Sequence, residues 1–172
     1  METVSLHKGS VAAKRVPTGV YGLDEMLGGG LLLGRSVLVC GGPGSGKTIF
    51  GIQYLYHGAT ENDENGLYVT LDESPTHIKA DMASFGWNIE ELEKTEKLAI
   101  VDASPIRAIP KEVKVGQFSV RRRDMSMLSL MHIIQSKAVD VDAKRIVIDP
   151  ITMLVLQYPE KSERRNAVLD LF

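Results

Sequence analysis

The sequence predicts an α/β protein with a mostly parallel sheet covered by helices on both faces. Three observations carry this expectation. Short apolar runs at residues 36–40, 67–71, 98–101 and 145–148 alternate with segments of helical periodicity. The runs are continuously apolar rather than alternating, as strands buried on both faces are. A glycine-rich stretch follows the first run directly, at the carboxyl end of a strand, where ligands sit in such sheets.

In chain order, residues 1–17 are mixed polar and read as an N-terminal arm, with residues 18–172 as the domain. Thr18 is placed to cap a short helix through Leu27, and Gly28, Gly29 and Gly30 stop it. Residues 36–40 form the first strand, and Cys40 reads as a buried strand residue among Val37, Leu38 and Val39. After the glycines, Ile49, Ile52, Tyr56 and Ala59 share one helical face. Ser74 and Pro75 suit an N-cap and first helical position, and Ile78, Met82 and Phe85 keep helical spacing until Gly86. Asn88 with Glu91 resembles a capping box. Residues 104–123 read as irregular. Met127, Leu130, Met131, Ile134 and Ala138 mark the next helix. Ser162 caps a final helix carrying Val168, Leu171 and Phe172.

Composition bounds the function. A chain of 172 residues, 44% hydrophobic and 24% charged, is one globular domain with a real core. A formal net charge of -2 argues against general electrostatic attraction to nucleic acid or anionic lipid. The single cysteine allows no internal disulfide. The N-terminus has no apolar core of a secretory signal, and no run approaches the ~20 apolar residues of a membrane span. A cytoplasmic protein with no membrane partner is the expectation.

Residues 41–48, Gly-Gly-Pro-Gly-Ser-Gly-Lys-Thr, match G-x-x-x-x-G-K-[ST] between a strand and a helix. Glycines let successive N–H groups turn inward around an anion, and the helix N-terminus adds its positive dipole end. The nucleotide cradle is assigned to Gly42, Pro43, Gly44, Ser45, Gly46, Lys47, Thr48 and Ile49. Lys47 is expected on the β- and γ-phosphates and Thr48 on Mg²⁺. Asp149 ends the strand Arg-Ile-Val-Ile-Asp and is the second expected metal contact. Asp72 and Glu73 end the second strand, and either could activate the attacking water.

Other polar features carry weaker chemistry. Asp102 reads as a turn residue. The histidines His7, His57, His77 and His132 lack zinc-like spacing. Arg121, Arg122 and Arg123 form a basic run without interleaved aromatics, read as a solvated loop.

The stretch from Pro17-Thr18-Gly19 through Leu23-Asp24 and Gly28-Gly29-Gly30 into the glycine-rich loop resembles RecA-superfamily P-loop ATPases. The resemblance is nearest to the KaiC family, including archaeal KaiC-like proteins. It extends through Tyr68-Val-Thr-Leu-Asp-Glu-Ser74, Ser84-Phe-Gly-Trp-Asn88, Val101-Asp-Ala-Ser-Pro105, Ile148-Asp-Pro-Ile-Thr152 and Arg164-Arg165. It implies a RecA-like ATPase that binds ATP and Mg²⁺ and assembles as a hexameric ring with ATP between subunits. The family carries two adjacent glutamates after the second strand. Here Asp72 stands in the first position, one methylene shorter, and Glu73 in the second. The family domain also continues with further strands, which implies that these 172 residues are an N-terminal portion of a longer product. Two alternatives stay open: a nucleotide-gated signalling module with little turnover, and a recombination-type ATPase on single-stranded DNA.

Overall fold

The computed structural model describes residues 13–105, 112–115, 118–156, 158 and 160–171. Its centre is a three-stranded parallel sheet in the order β4-β3-β7. These strands are β3 (Gly66–Thr70), β4 (Leu98–Asp102) and β7 (Arg145–Asp149). In register, Asp102, Thr70 and Asp149 lie side by side, so the three strands end on one line. The expected mostly parallel α/β architecture is present.

Pleating sends alternate β3 side chains to opposite faces. Tyr68 joins Ile52, Leu55, Ile78 and Met82 on one side. Leu67, Val69 and Leu71 join Leu130 and Leu154 on the other. The helices α2 (Lys47–Glu61), α3 (Pro75–Ala83) and α4 (Ile89–Lys94) carry the first layer. The second layer comes from α5 (Arg122–Asp140), α6 (Thr152–Val155) and α7 (Lys161–Leu171). Each fully buried aliphatic side chain contributes about 1.5–3 kcal/mol, and both faces of β3 are fully buried, so this strand anchors the fold.

Helix α2 lies against β7 because it carries glycine at its contact points. A Cβ on Gly51 would stand 2.9 Å from Val147 Cγ1, and one on Gly58 would stand 2.5 Å from Arg145 Nε. Arg145, at 2% exposure, fills the space over Gly58. Its Nε donates to Glu64 Oε2 at 2.7 Å, and Nη1 donates to the carbonyls of Pro17 and Tyr54. Nη2 approaches the same Glu64 oxygen at 2.6 Å, outside hydrogen-bond geometry. The guanidinium also lies 4.5 Å over the Tyr54 ring. A buried cation is tolerable only when paired and hydrogen-bonded, and this one ties β7, α2 and the Pro17 segment together.

Helices α3 and α4 take the expected N-caps, with Ser74 Oγ accepting from His77 N and Asn88 Oδ1 from Glu91 N. Among the described residues, however, the return bond from Asn88 N to the Glu91 carboxylate that would complete a capping box does not form. Several other expectations are corrected. Thr18 does not cap a helix. Its N–H and hydroxyl donate to Asp24 Oδ1 at 2.7 and 2.8 Å, and Gly19 N–H donates to Oδ2. The acid on α1 (Leu23–Met26) therefore organises the loop, reversing the expected roles. Residues 15 and 16 fall in the stretch read as the arm. There β1 (Arg15–Val16) pairs antiparallel with β2 (Leu31–Leu32), and Val16 is buried.

Residues 36–40 are not a ladder strand. No described strand pairs with them, so Val37, Leu38 and Val39 are 48%, 63% and 44% exposed. Cys40 is exposed rather than buried. An apolar run becomes a buried strand only where neighbours supply hydrogen bonds on its edges. The segment read as irregular contains a hairpin, β5 (Glu112–Val115) and β6 (Phe118–Arg121). The side chains of Arg121, Arg122 and Arg123 lie outside the described residues, as do His7 and Phe172. Phe85 falls just beyond α3 and is exposed, stacked on Trp87.

Candidate functional site

The glycine-rich loop leads from residues 36–40 to the N-terminus of α2. Gly44 and Gly46 take φ of +74° and +85°, left-handed values that suit glycine. Gly46 is the residue before α2, which begins at Lys47. The loop therefore delivers its backbone N–H groups and the positive end of a long helix to one place. Lys47 Nζ folds back to donate to the carbonyls of Gly41 and Gly42, at 2.9 and 2.8 Å. Ser45 N–H donates to Gly42 O, tightening the turn. Thr48 and Ile49 stand in the first turn of α2.

Asp149, at the end of β7, reaches this helix start. Thr48 Oγ1 donates to Asp149 Oδ2 at 2.7 Å. The same carboxylate oxygen accepts from Tyr68 Oη at 2.8 Å. Sequence reading did not single out Tyr68. The signal was a tyrosine in an otherwise aliphatic strand, two positions before the strand's end. Its ring is buried at 1% exposure. Burial pushes its phenol far above the ordinary tyrosine range, and the negative charges of Asp149 and Glu73 add to this, so the hydroxyl stays protonated and donates.

Asp72 and Glu73 sit in the turn after β3 and are exposed. Thr70 shapes this turn: its hydroxyl donates to Glu73 O at 2.7 Å and accepts from Asp72 N at 3.4 Å. Leu71 N donates to Asp149 O, so the turn is stitched to the end of β7. Asp102 accepts from Ser104 N at 2.8 Å, the turn role expected of it. The strand ends thus gather Lys47, Thr48, Asp149 and the Asp72–Glu73 turn at one edge of the sheet.

A hydroxyl beside one carboxylate suits a hard divalent cation that keeps most of its contacts for phosphate and water. Thr48 fits this doubly. Its proton goes to Asp149 while its oxygen lone pairs remain for a cation. Among the described residues no cluster of three or more His, Cys, Asp or Glu forms a metal cage. None of the described helices is long and apolar enough to cross a membrane.

The family model described as the KaiC ATPase matches residues 16–172. The chain belongs to the KaiC family of ATPases. It is 39% identical over 158 residues to a circadian clock oscillator protein KaiC of Prochlorococcus marinus, covering 92% of this chain and 30% of that protein. It is 40% identical over 146 residues to a UPF0273 protein of Thermotoga maritima, covering 85% and 59%. The crystal structure of a KaiC-like protein from Pyrococcus horikoshii superposes with a TM-score of 0.73 at 35% identity, covering 92% of this chain and 63% of that one. This KaiC-family chain thus spans between under a third and about three fifths of the curated relatives' length. The RecA-like fold of the KaiC family accounts for the parallel sheet and flanking helices.

Proposed function

We propose that this chain binds Mg·ATP through residues 42–49 and hydrolyses the β–γ phosphoanhydride. One observation carries the reading: the Thr48 hydroxyl and the Asp149 carboxylate meet at the N-terminus of the helix that the glycine-rich loop opens. Thr48 and Asp149 are the residues that would hold Mg²⁺, which when bound supplies charge neutralisation at the β- and γ-phosphates. The choice of ATP over GTP rests on the family, because the loop reads phosphate and not base.

The remaining steps belong to this chain's own groups. The backbone N–H groups of residues 42–49 bind the phosphates. Lys47 exchanges the carbonyls of Gly41 and Gly42 for phosphate oxygens and stabilises charge on the leaving oxygen. A carboxylate in the turn after β3 takes a proton from the attacking water as its oxygen bonds to the γ-phosphorus. The bridging P–O bond breaks, and ADP and inorganic phosphate leave. Glu73 and Asp72, both exposed in that turn, are the two candidates for this base.

The family also supports a ring oligomer, hexameric by resemblance, with the site between subunits. The composition and the lack of a membrane-crossing helix among the described residues support a cytoplasmic location. A fluorescent ATP analogue tests the binding step. Wild type binds and releases it to excess ATP, whereas Lys47→Ala weakens binding by ~10²-fold or more. Equal affinity in the two would contradict the reading.

A further inference from the structure

The buried phenol of Tyr68 lies beside the proposed metal site, yet nothing in the phosphate-binding motif calls for it. A purely apolar role at this position needs only a ring. The hydroxyl adds a polar group that must find a partner once buried. Its partner is Asp149 Oδ2, at 2.8 Å. That oxygen also accepts from Thr48, so two donors converge on one side of the carboxylate. Among the described residues, Asp149 Oδ1 accepts no hydrogen bond.

The ring itself is held firmly. Tyr68 is packed in the cluster with Ile52, Leu55, Ile78 and Met82. The face of α2 at Gly51 comes close enough that a Cβ there would stand 3.6 Å from Tyr68 Cε2. Tyr68 pairs with Val147 across the ladder, and Thr70 pairs with Asp149. The phenol therefore spans two residues of β7 to reach the carboxylate, with little freedom to point elsewhere. Groups that orient a metal-binding carboxylate through its other oxygen raise metal affinity by fixing its direction.

We infer that Tyr68 is a positioning residue for the metal: its hydroxyl locks Asp149 through Oδ2 so that Oδ1 faces the cation at Thr48. The inference rests on the proposed Mg·ATP site.

Tyr68→Phe removes the hydroxyl and keeps the ring. The test measures Mn²⁺ affinity by electron paramagnetic resonance, with the non-hydrolysable analogue AMP-PNP bound, and AMP-PNP affinity in EDTA. Tyr68→Phe is expected to weaken Mn²⁺ binding by ~10-fold and to leave metal-free AMP-PNP affinity unchanged. In an Asp149→Asn background the same change is expected to have no further effect on Mn²⁺, because the hydroxyl acts through the carboxylate. Unchanged Mn²⁺ affinity in Tyr68→Phe overturns the positioning role alone. An equal loss in the Asp149→Asn background also overturns it. A wild type that binds AMP-PNP with no Mn²⁺ dependence overturns the metal site itself and this inference with it.

Discussion

Thr48 and Asp149 are 101 residues apart in the chain and share a hydrogen bond of 2.7 Å. It joins the first turn of α2 to the carboxyl end of β7, and every proposed catalytic group lies around it. Thr48→Ser keeps the hydroxyl, whereas Thr48→Val removes it at similar volume. Nucleotide affinity with Mg²⁺ is expected to survive in the serine variant and to fall by at least ~10-fold in the valine variant. Calorimetric titration with and without Mg²⁺ checks this. Equal Mg²⁺ dependence in both variants would detach Thr48 from the metal.

Gly58 and Arg145 set two effects against each other. Replacing a helix-interior glycine by alanine ordinarily gains about 1 kcal/mol. Here the new Cβ meets an arginine pinned by Glu64 and two carbonyls. Overpacking costs about 1–3 kcal/mol, and disturbed hydrogen bonds to a charged group add about 1.5–3 kcal/mol. Gly58→Ala is therefore expected to destabilise by about 2 kcal/mol in urea unfolding. A higher melting temperature would show that Arg145 moves aside freely.

Asp24 predicts a pH dependence. Burial raises its pKa, but hydrogen bonds from Thr18 and Gly19, with the field of His57, outweigh that and bring it below the usual carboxylate value. A depressed folded-state pKa gives stability that is fully present above the unfolded value, about 3.9. That stability is lost as pH falls through the folded value. Asp24→Asn is expected to be less stable than wild type at neutral pH, with the gap closing in the acid range below about pH 4. Urea unfolding at pH 7 and pH 3 measures it. A constant gap would contradict the ionic role.

Cys40 checks the segment before the loop. Its exposure predicts alkylation by iodoacetamide under native conditions, as fast as in the unfolded chain within about an order of magnitude. Protection until unfolding would restore the buried strand.

The sheet and much of the site were legible because their signals are local. Residues 67–71, 98–101 and 145–148 read as strands from their own apolar character, and they pair as parallel neighbours. Ser74 and Asn88 read as caps because a cap is decided within four residues. The parts that were missed depend on partners distant in sequence. Residues 36–40 have strand composition but no described neighbour, and composition does not reveal a missing edge. The roles of Thr18 and Asp24 were reversed because either side chain can cap the other's backbone, and only the turn geometry decides. Tyr68 was passed over because its meaning lies in a hydrogen bond across 81 residues. The hairpin β5–β6 was missed because its strands are short and mixed in polarity.

The most direct test of the ATPase reading is steady-state phosphate release from Mg·ATP by wild type, Lys47→Ala, Glu73→Gln and Asp72→Asn. The account predicts turnover in wild type, a loss of ~10²–10³-fold in Lys47→Ala, and a comparable loss in one of Glu73→Gln and Asp72→Asn, which names the base. Tight binding of ATP by wild type with no turnover would contradict hydrolysis as its function and leave a nucleotide-gated module in its place.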